Sequence, residues 1–428
     1  MYRVSKLTEL VVKKTPVGTN LGLYEGLMCV MGGGLLESRG AVIPALYAWT
    51  QNQCDTLRIW RAVGYGAWQV NLLLKELDRQ IAIESQWKAR DVGGRAIVAL
   101  DTIGFYRPRL QGVKTQHYNY LSETVHAAIN VGIVAKIGHV NEQNLTYPIA
   151  VIRSPDQEAD NSEIKLMKRL IQAAKAHLSD NDILTADSKF SPIEMLAAGV
   201  PNVVMRRAQN TTFMRCEFRV GKRSKNRQTV RPIERQGKHG TLPATPPDEQ
   251  FMWDKVKIQI WRNVYLQPQK TWTADYKRIN AQTTWTVYVM LDMTFPNKPW
   301  LIISNMRLTH QEVHSVVTSR WGAEQPPLVA KQLLGAHRQF VHAPEMRHRW
   351  PEFTLLAAAI LTYVASTAAP FKTGFWDRAP RRTAGRLRRH LRILAPRIKP
   401  ATTLRLKRSV TAHLPKGRAP SSPPVLRI

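Results

Sequence analysis

The sequence predicts a mixed α/β fold: a sheet whose strands alternate with helices, interrupted by a β-rich insertion, preceded by a helical region and followed by a basic tail. Three observations carry this. The apolar period changes from helical to strand-like near residue 95 and changes again after residue 206. Of 428 residues 44% are hydrophobic, enough for a large folded core, which excludes global disorder. Positive charge is in excess and concentrated: 62 Lys and Arg against 31 Asp and Glu leave +31, of which segments 206–238 and 378–428 supply +24. That balance is foreign to a typical metabolic enzyme and points to a polyanionic partner.

Residues 1–93 read as helical. A break at Gly32, Gly33 and Gly34 precedes SRGAVIPALYAWTQ and TLRIWRAVGYGAWQVNLLLKELDRQIAI. Short helices, turn glycines and scattered basic residues suit a helix-turn-helix-like DNA-binding region, and equally an ordinary helical subdomain. The opening residues lack an apolar run followed by a small-residue cleavage site, so no secretory signal is expected. Cys29, Cys54 and Cys216 form no CxxC, which leaves neither a disulfide framework nor a zinc-finger spacing and fits a reducing, cytoplasmic compartment.

Residues 94–210 carry the α/β pattern. AIVAL is a short apolar run ending in Asp101, as expected of a strand buried on both faces. Further strands are expected around Ala127 to Ile137 and Leu145 to Ile152. A helix follows, announced by Asp160 and Glu163 at capping-box spacing, with Ile164, Met167, Leu170, Ile171, Ala174 and Leu178 on its apolar face. The strand ILTA ends in Asp187, and the helix SPIEMLAAG and the strand NVVMR complete the segment. Asp101 and Asp187 are thereby placed at the ends of two core strands.

Residues 211–300 read as the β-rich insertion. They hold most of the basic run, the Pro-rich TLPATPPDEQ, and the strand-like VKIQIWRNVYL and TTWTVYVMLDMTF. Trp253, Trp261, Trp272, Trp285 and Trp300 fall here; each either packs a sheet face or stacks on a splayed base. Residues 301–375 read as helical. Their apolar stretch, Phe353 to Phe371, is broken by Thr354, Thr362, Ser366, Thr367 and Pro370, so a buried core helix is expected rather than a membrane span. In the tail, 376–428, the prolines and the absence of a lasting apolar period suggest a solvated extension that meets polyanion through counterion release; an anionic membrane surface would attract the same charge.

Several chemistries find no support. There is no GxxxxGK[ST] and no GxSxG, and GYG at Gly64 to Gly66 lacks a preceding strand and a third glycine. His310 and His314 stand four apart, but Glu312 is misplaced for HExxH, which leaves a surface helix. What remains is an ordered set of acids. SVVTSRWGAEQPPLVAKQLLG supplies Arg320, Glu324 after three intervening residues and Lys331 after six more, and ALDTIGF and ADSKF supply Asp101 and Asp187 with Phe190. In this the sequence resembles the DDE transposases of bacterial insertion sequences, in the group with the signature Y-x2-R-x3-E-x6-K. The resemblance covers roughly residues 95 to 365. Val317 occupies the Tyr position, a departure that puts one DNA-backbone contact implied by the resemblance in doubt. Pro326 and Pro327 also bear on the pattern, because a residue before proline avoids the helical region. If a helix starts at the prolines, Glu324 stands at its entrance and need not share a face with Arg320.

The resemblance implies a ribonuclease-H-like catalytic core and metal-dependent nicking at element ends, with strand transfer to target DNA. It implies Asp101, Asp187 and Glu324 as catalytic ligands of two Mg²⁺ or Mn²⁺ ions, Asp101 shared between them, and Arg320 and Lys331 as phosphate-binding residues. Carboxylates suit this task because hard cations take oxygen ligands and stabilise the attacking and leaving oxygens of phosphodiester chemistry. The implied partners are DNA, both terminal inverted repeats and target, and a second copy in a dimeric synaptic complex. No membrane association is expected, and the location would be cytoplasmic at the nucleoid. The alternative is a transposase-derived DNA-binding protein whose catalytic geometry has been lost.

Overall fold

The structure, a computed structural model, describes residues 2–107, 112–119, 122–155, 162–215, 228–237, 240–295, 297–338, 341, 343–394 and 404. Six helices open the chain: α1 (Tyr2–Val12), α2 (Thr19–Met31), α3 (Gly34–Glu37), α4 (Val42–Thr50), α5 (Gln53–Tyr65) and α6 (Val70–Glu84). Asn52 caps α5 by accepting from the backbone N–H of Asp55 at 3.1 Å. Helices α2 and α5 approach closely because Gly22 has no side chain; a Cβ there would meet the Ala62 methyl at 2.4 Å.

After the short strand β1 (Lys88–Ala89) come β2 (Ile97–Tyr106), β3 (Gln116–Asn119), β4 (Thr124–Val140), β5 (Gln143–Arg153), α7 (Ser162–Lys175), β6 (Ile183–Thr185) and α8 (Pro192–Ala197). The long β4 pairs antiparallel with β2 and β5, and also with β1 and β3. On the other side of β2, β6 adds in parallel, reached through α7. The fold is thus mixed α/β, as the sequence predicts. One detail differs: β2 does not end at Asp101 but runs five residues further, because β4 pairs with it all the way to Tyr106. Asp101 is therefore mid-strand. Of the capping box expected at Asp160 and Glu163, Asp160 lies outside the described residues; Met167, Leu170, Ile171 and Ala174 of α7 are buried, while Ile164 is exposed.

A second, all-antiparallel sheet comprises β7 (Val204–Arg207), β8 (Phe213–Arg215), β9 (Gln228–Val230), then, past the hairpin β10 (Arg235–Gly237) and β11 (Gly240–Leu242), β12 (Glu249–Trp253) and β13 (Val256–Leu266). After α9 (Ala274–Gln282) it is completed by β14 (Trp285–Asp292) and β15 (Trp300–Ser304). Its order is β7-β15-β14-β13-β8-β9, with β12 also on β13. The two sheets meet at Val203, which bridges in parallel to Leu184 and donates its N–H to the Asn305 side chain at 2.8 Å. Trp261 and Trp285 are fully buried, so these two tryptophans pack the sheet. Much of the basic run, 216–227, lies outside the described residues.

The chain ends in α10 (His310–Arg320), a 3-10 turn (Trp321–Glu324), α11 (Gln325–Leu328), a π turn (Val329–Leu333), a 3-10 turn (Ala336–Arg338), α12 (Pro344–Thr367) and α13 (Ala384–Leu394). Helix α12 holds the apolar stretch and is buried from Phe353 to Ala365 apart from Thr362. Its hydroxyls are accommodated by bonding back one turn: Thr354 to the Pro351 carbonyl, Thr362 to Ala358 and Ser366 to Thr362. Among the described residues no helix is long and apolar enough to cross a membrane. The tail departs from expectation up to residue 394. Ala384, Leu387 and Leu391 form a buried stripe along α13, and Arg388 bonds the Leu333 carbonyl. Apart from Leu404, the tail beyond 394 lies outside the described residues. One continuous hydrophobic core runs through the N-terminal helices, both sheets, α12 and α13.

Candidate active site

The parallel pairing of β2 with β6 aligns Ile97 with Ile183 and Ala99 with Thr185; β6 ends there, so Asp187 follows two residues past the strand, near enough to Asp101 to raise its carboxyl. The direction of the Asp101 side chain follows from strand alternation. Thr102 points toward α7, where its hydroxyl donates to Glu163 at 3.1 Å. Asp101 therefore points the other way, toward the segment carrying Arg320 and Glu324.

The electrostatics reflect this gathering. Burial pushes the Asp101 carboxyl up to about 7; Arg320 pulls it down, Glu324 and Asp187 push it up, and the Thr102 N–H, donated to Asp101 Oδ1 at 2.9 Å, pulls it down. Three acids far apart in sequence thus share one neighbourhood. Arg320 is 5% exposed, and its Nη2 donates to Glu324 Oε1 at 3.2 Å. Its Nε is buried without a hydrogen-bond partner among the described residues, a donor left over beside an acidic site. Lys331, in the π turn, holds its ammonium 5.4 Å from the centre of the Phe105 ring and 5.9 Å from that of Tyr106. Burial lowers it to about 8, Asp101 opposing and Arg107 reinforcing the shift.

The proline step has a different outcome from the simplest expectation. Gln325, although followed by Pro326, stays helical at φ −65° and ψ −51°. The chain winds through Trp321–Glu324 as a 3-10 turn, and the two prolines sit in the first turn of α11, where a missing N–H costs least. Glu324 stands at that entrance and still shares a face with Arg320. Val317 is buried in the core and brings no polar group to the site.

Sequence reasoning missed two contributors. Arg206, on β7, is lowered by burial, with Asp187 opposing and Arg320 reinforcing, and lies 5.1 Å over the Trp300 ring. Trp321, next to Arg320, is 52% exposed, and its ring lies 6.3 Å from Trp300. The only sequence signal for Trp321 is its place beside Arg320; for Arg206 it is the parity of a strand whose next residue, Arg207, turns to the opposite face to bond the Ser188 and Phe190 carbonyls. His310 and His314 pack against Trp253, and His314 also stacks on Trp300 at 10°. Glu312 closes the capping box of α10 with Thr309.

Among the described residues no three His, Cys, Asp or Glu side chains form a ready-made metal-binding group. The gathered donors are carboxylate oxygens only, the chemistry a hard divalent cation takes. With a buried arginine and a lysine beside them, they suit an anionic substrate that brings its own oxygens to a cation. No protein-family model matches the chain, and no curated protein sequence matches it.

Proposed function

We propose that this chain is a DDE-type transposase that nicks DNA at element ends and transfers the freed strand to target DNA, on a ribonuclease-H-like core. The observation that carries the reading is that Asp101, Asp187, Glu324 and Arg320, from separate elements, lie close enough for the last three to act on the Asp101 carboxyl. In it, Asp101, Asp187 and Glu324 would hold two Mg²⁺ or Mn²⁺ ions. A divalent cation held there would supply Lewis-acid stabilisation of the charge that develops on the phosphate oxygens. The protein's own share is positioning. Arg320, fixed by its hydrogen bond to Glu324, would place its positive charge beside the phosphate. Lys331 and Arg206 add positive charge from two sides, and Trp321 offers an exposed ring to a base. A second copy would complete the synaptic complex.

The test is incubation of the full chain with Mg²⁺ or Mn²⁺ and DNA carrying the inverted repeats that flank its coding region. Metal-dependent nicking by the wild type, lost in Asp187→Ala with DNA binding retained, is expected. Nicking that survives in Asp187→Ala overturns the assignment. Tight repeat binding without nicking supports the second reading, a DNA-binding protein without activity, which the burial of Val317 at the signature's Tyr position favours.

A further inference from the structure

Residues 371–381 form a loop closed at its base by backbone hydrogen bonds between Phe371 and Arg381, 3.1 and 3.4 Å. Asp377 organises its interior. One carboxylate oxygen accepts from the backbone N–H and hydroxyl of Thr373 at 2.9 and 3.0 Å and pairs with Arg386 at 2.8 Å; the other accepts from the Ala379 N–H at 3.1 Å. Arg386 also bonds the Phe371 carbonyl, which ties the loop to α13. Such a loop is held from within and fixed to the body.

What it holds out is aromatic. Phe375 is 84% and Trp376 73% exposed, the most exposed phenylalanine and tryptophan among the described residues, and their ring centroids lie 3.7 Å apart. Exposing two large rings on a rigid support forgoes about 1.5–3 kcal/mol of burial for each, so a partner for them is expected. The surroundings choose its charge. Lys372, Arg378, Arg381 and Arg389 are exposed around the loop, Asp377 is consumed by its own donors, and no acid follows it to the C-terminus.

We infer that Phe375 and Trp376 are a stacking platform for unpaired bases of a DNA strand, with the neighbouring cations holding its phosphates. A π face accepts any base, and cations beside it track the backbone, which is the chemistry of binding without sequence preference. The strand is unpaired because bases in a duplex are already stacked on one another. The inference rests on the reading of this chain as a DNA-handling protein, and not on its cleavage chemistry.

The experiment compares the full chain with Phe375→Ala/Trp376→Ala and with Lys372→Ala/Arg378→Ala/Arg381→Ala, using fluorescence anisotropy of a labelled single strand and of its duplex over a salt series without divalent metal. The aromatic variant is expected to lose at least about five-fold in single-strand affinity, with duplex affinity and salt slope unchanged; the charge variant lowers the slope for both. Both rings are in solvent, so the thermal midpoint stays in place and serves as the folding control. Equal losses on both DNAs, or none, overturn the inference. So does a loss confined to anionic vesicle binding, which assigns the rings to a lipid surface, or a loss confined to self-association, which assigns them to a second copy. Single-strand binding that depends on the rings in a chain that never nicks would leave this inference standing and sink the cleavage reading alone.

Discussion

Arg320 shows how little of a residue's role its spacing reveals. R-x3-E-x6-K is local and was legible, whereas the burial of the guanidinium, its bond to Glu324 and an Nε without a partner among the described residues depend on what packs over it. Two other residues allow sharp predictions. Glu76 is buried, and burial pushes its carboxyl up, but hydrogen bonds from Arg79, Lys14 and Gln80 outweigh this and hold it at about 2. That is below the ordinary unfolded value of roughly 4.3, so its stabilisation is fully present above that value and is lost as pH falls toward 2. Glu76→Gln should cost about 1–2 kcal/mol near pH 7, discounted because both cationic partners are largely in water, and most of the difference should be gone in urea titrations near pH 2. Gly322 lies against β5, and a Cβ there would come within 2.2 Å of Thr146 Oγ1. Gly322→Ala should lower stability by about 1–3 kcal/mol through overpacking, seen as a lower urea midpoint at unchanged slope.

Among the elements, the segment from α10 to the π turn concentrates the irregularity. The two prolines bring no backbone N–H, and the chain winds as a 3-10 turn before them, where the Gln325 N–H bonds the Gly322 carbonyl, and as a π turn after, which sets Glu324 and Lys331 on their two sides. The prolines were legible as a helix boundary; that the winding would continue through them was not, because the choice rests on burial of Ala323, Pro326 and Pro327. The capping box of α10 holds the start of this segment, so Thr309→Ala should cost about 1 kcal/mol, checked by chemical denaturation. Helix α13 was legible in principle. Ala384, Leu387 and Leu391 repeat at helical spacing, but the dense arginines around them read as a solvated tail. Leu387→Ala should cost about 2–5 kcal/mol and speed amide hydrogen exchange in α13 first; unchanged exchange there would show that the helix does not depend on its stripe.

For the whole molecule, the charge divides by its work. The arginines of α13 are partly spent on the body: Arg386 on Asp377, Arg388 on the Leu333 carbonyl and Arg392 on Glu37. Residues 405–428 add six Lys or Arg and no acid. Deleting them should flatten the salt dependence of DNA affinity, by about 0.9 in log–log slope for each phosphate they neutralise, while any metal-dependent nicking persists. Binding isotherms at several salt concentrations read this directly, and a slope unchanged by the deletion would remove the tail from DNA binding.

Apart from β1 and β3, which it missed, and the strand NVVMR, which pairs into the second sheet as β7 and not into the first, the sequence by itself determined what is periodic or local: the helical start, the strands β2, β4, β5 and β6, the buried helix α12 and the spacing of Arg320, Glu324 and Lys331. These follow from side-chain alternation and composition, which each segment carries alone. Tertiary structure decided which of these meet. Parallel pairing set β6, and with it Asp187 two residues on, beside the strand that carries Asp101, pairing with β4 carried β2 beyond Asp101, the bridge at Val203 joined the second sheet to the first, and strand parity turned Arg206 toward Asp187. The physical reason is that register, parity and burial are properties of pairs of segments. The +31 charge raised the expectation of a polyanion; only the fold showed, among the described residues, which cations are spent on the protein itself.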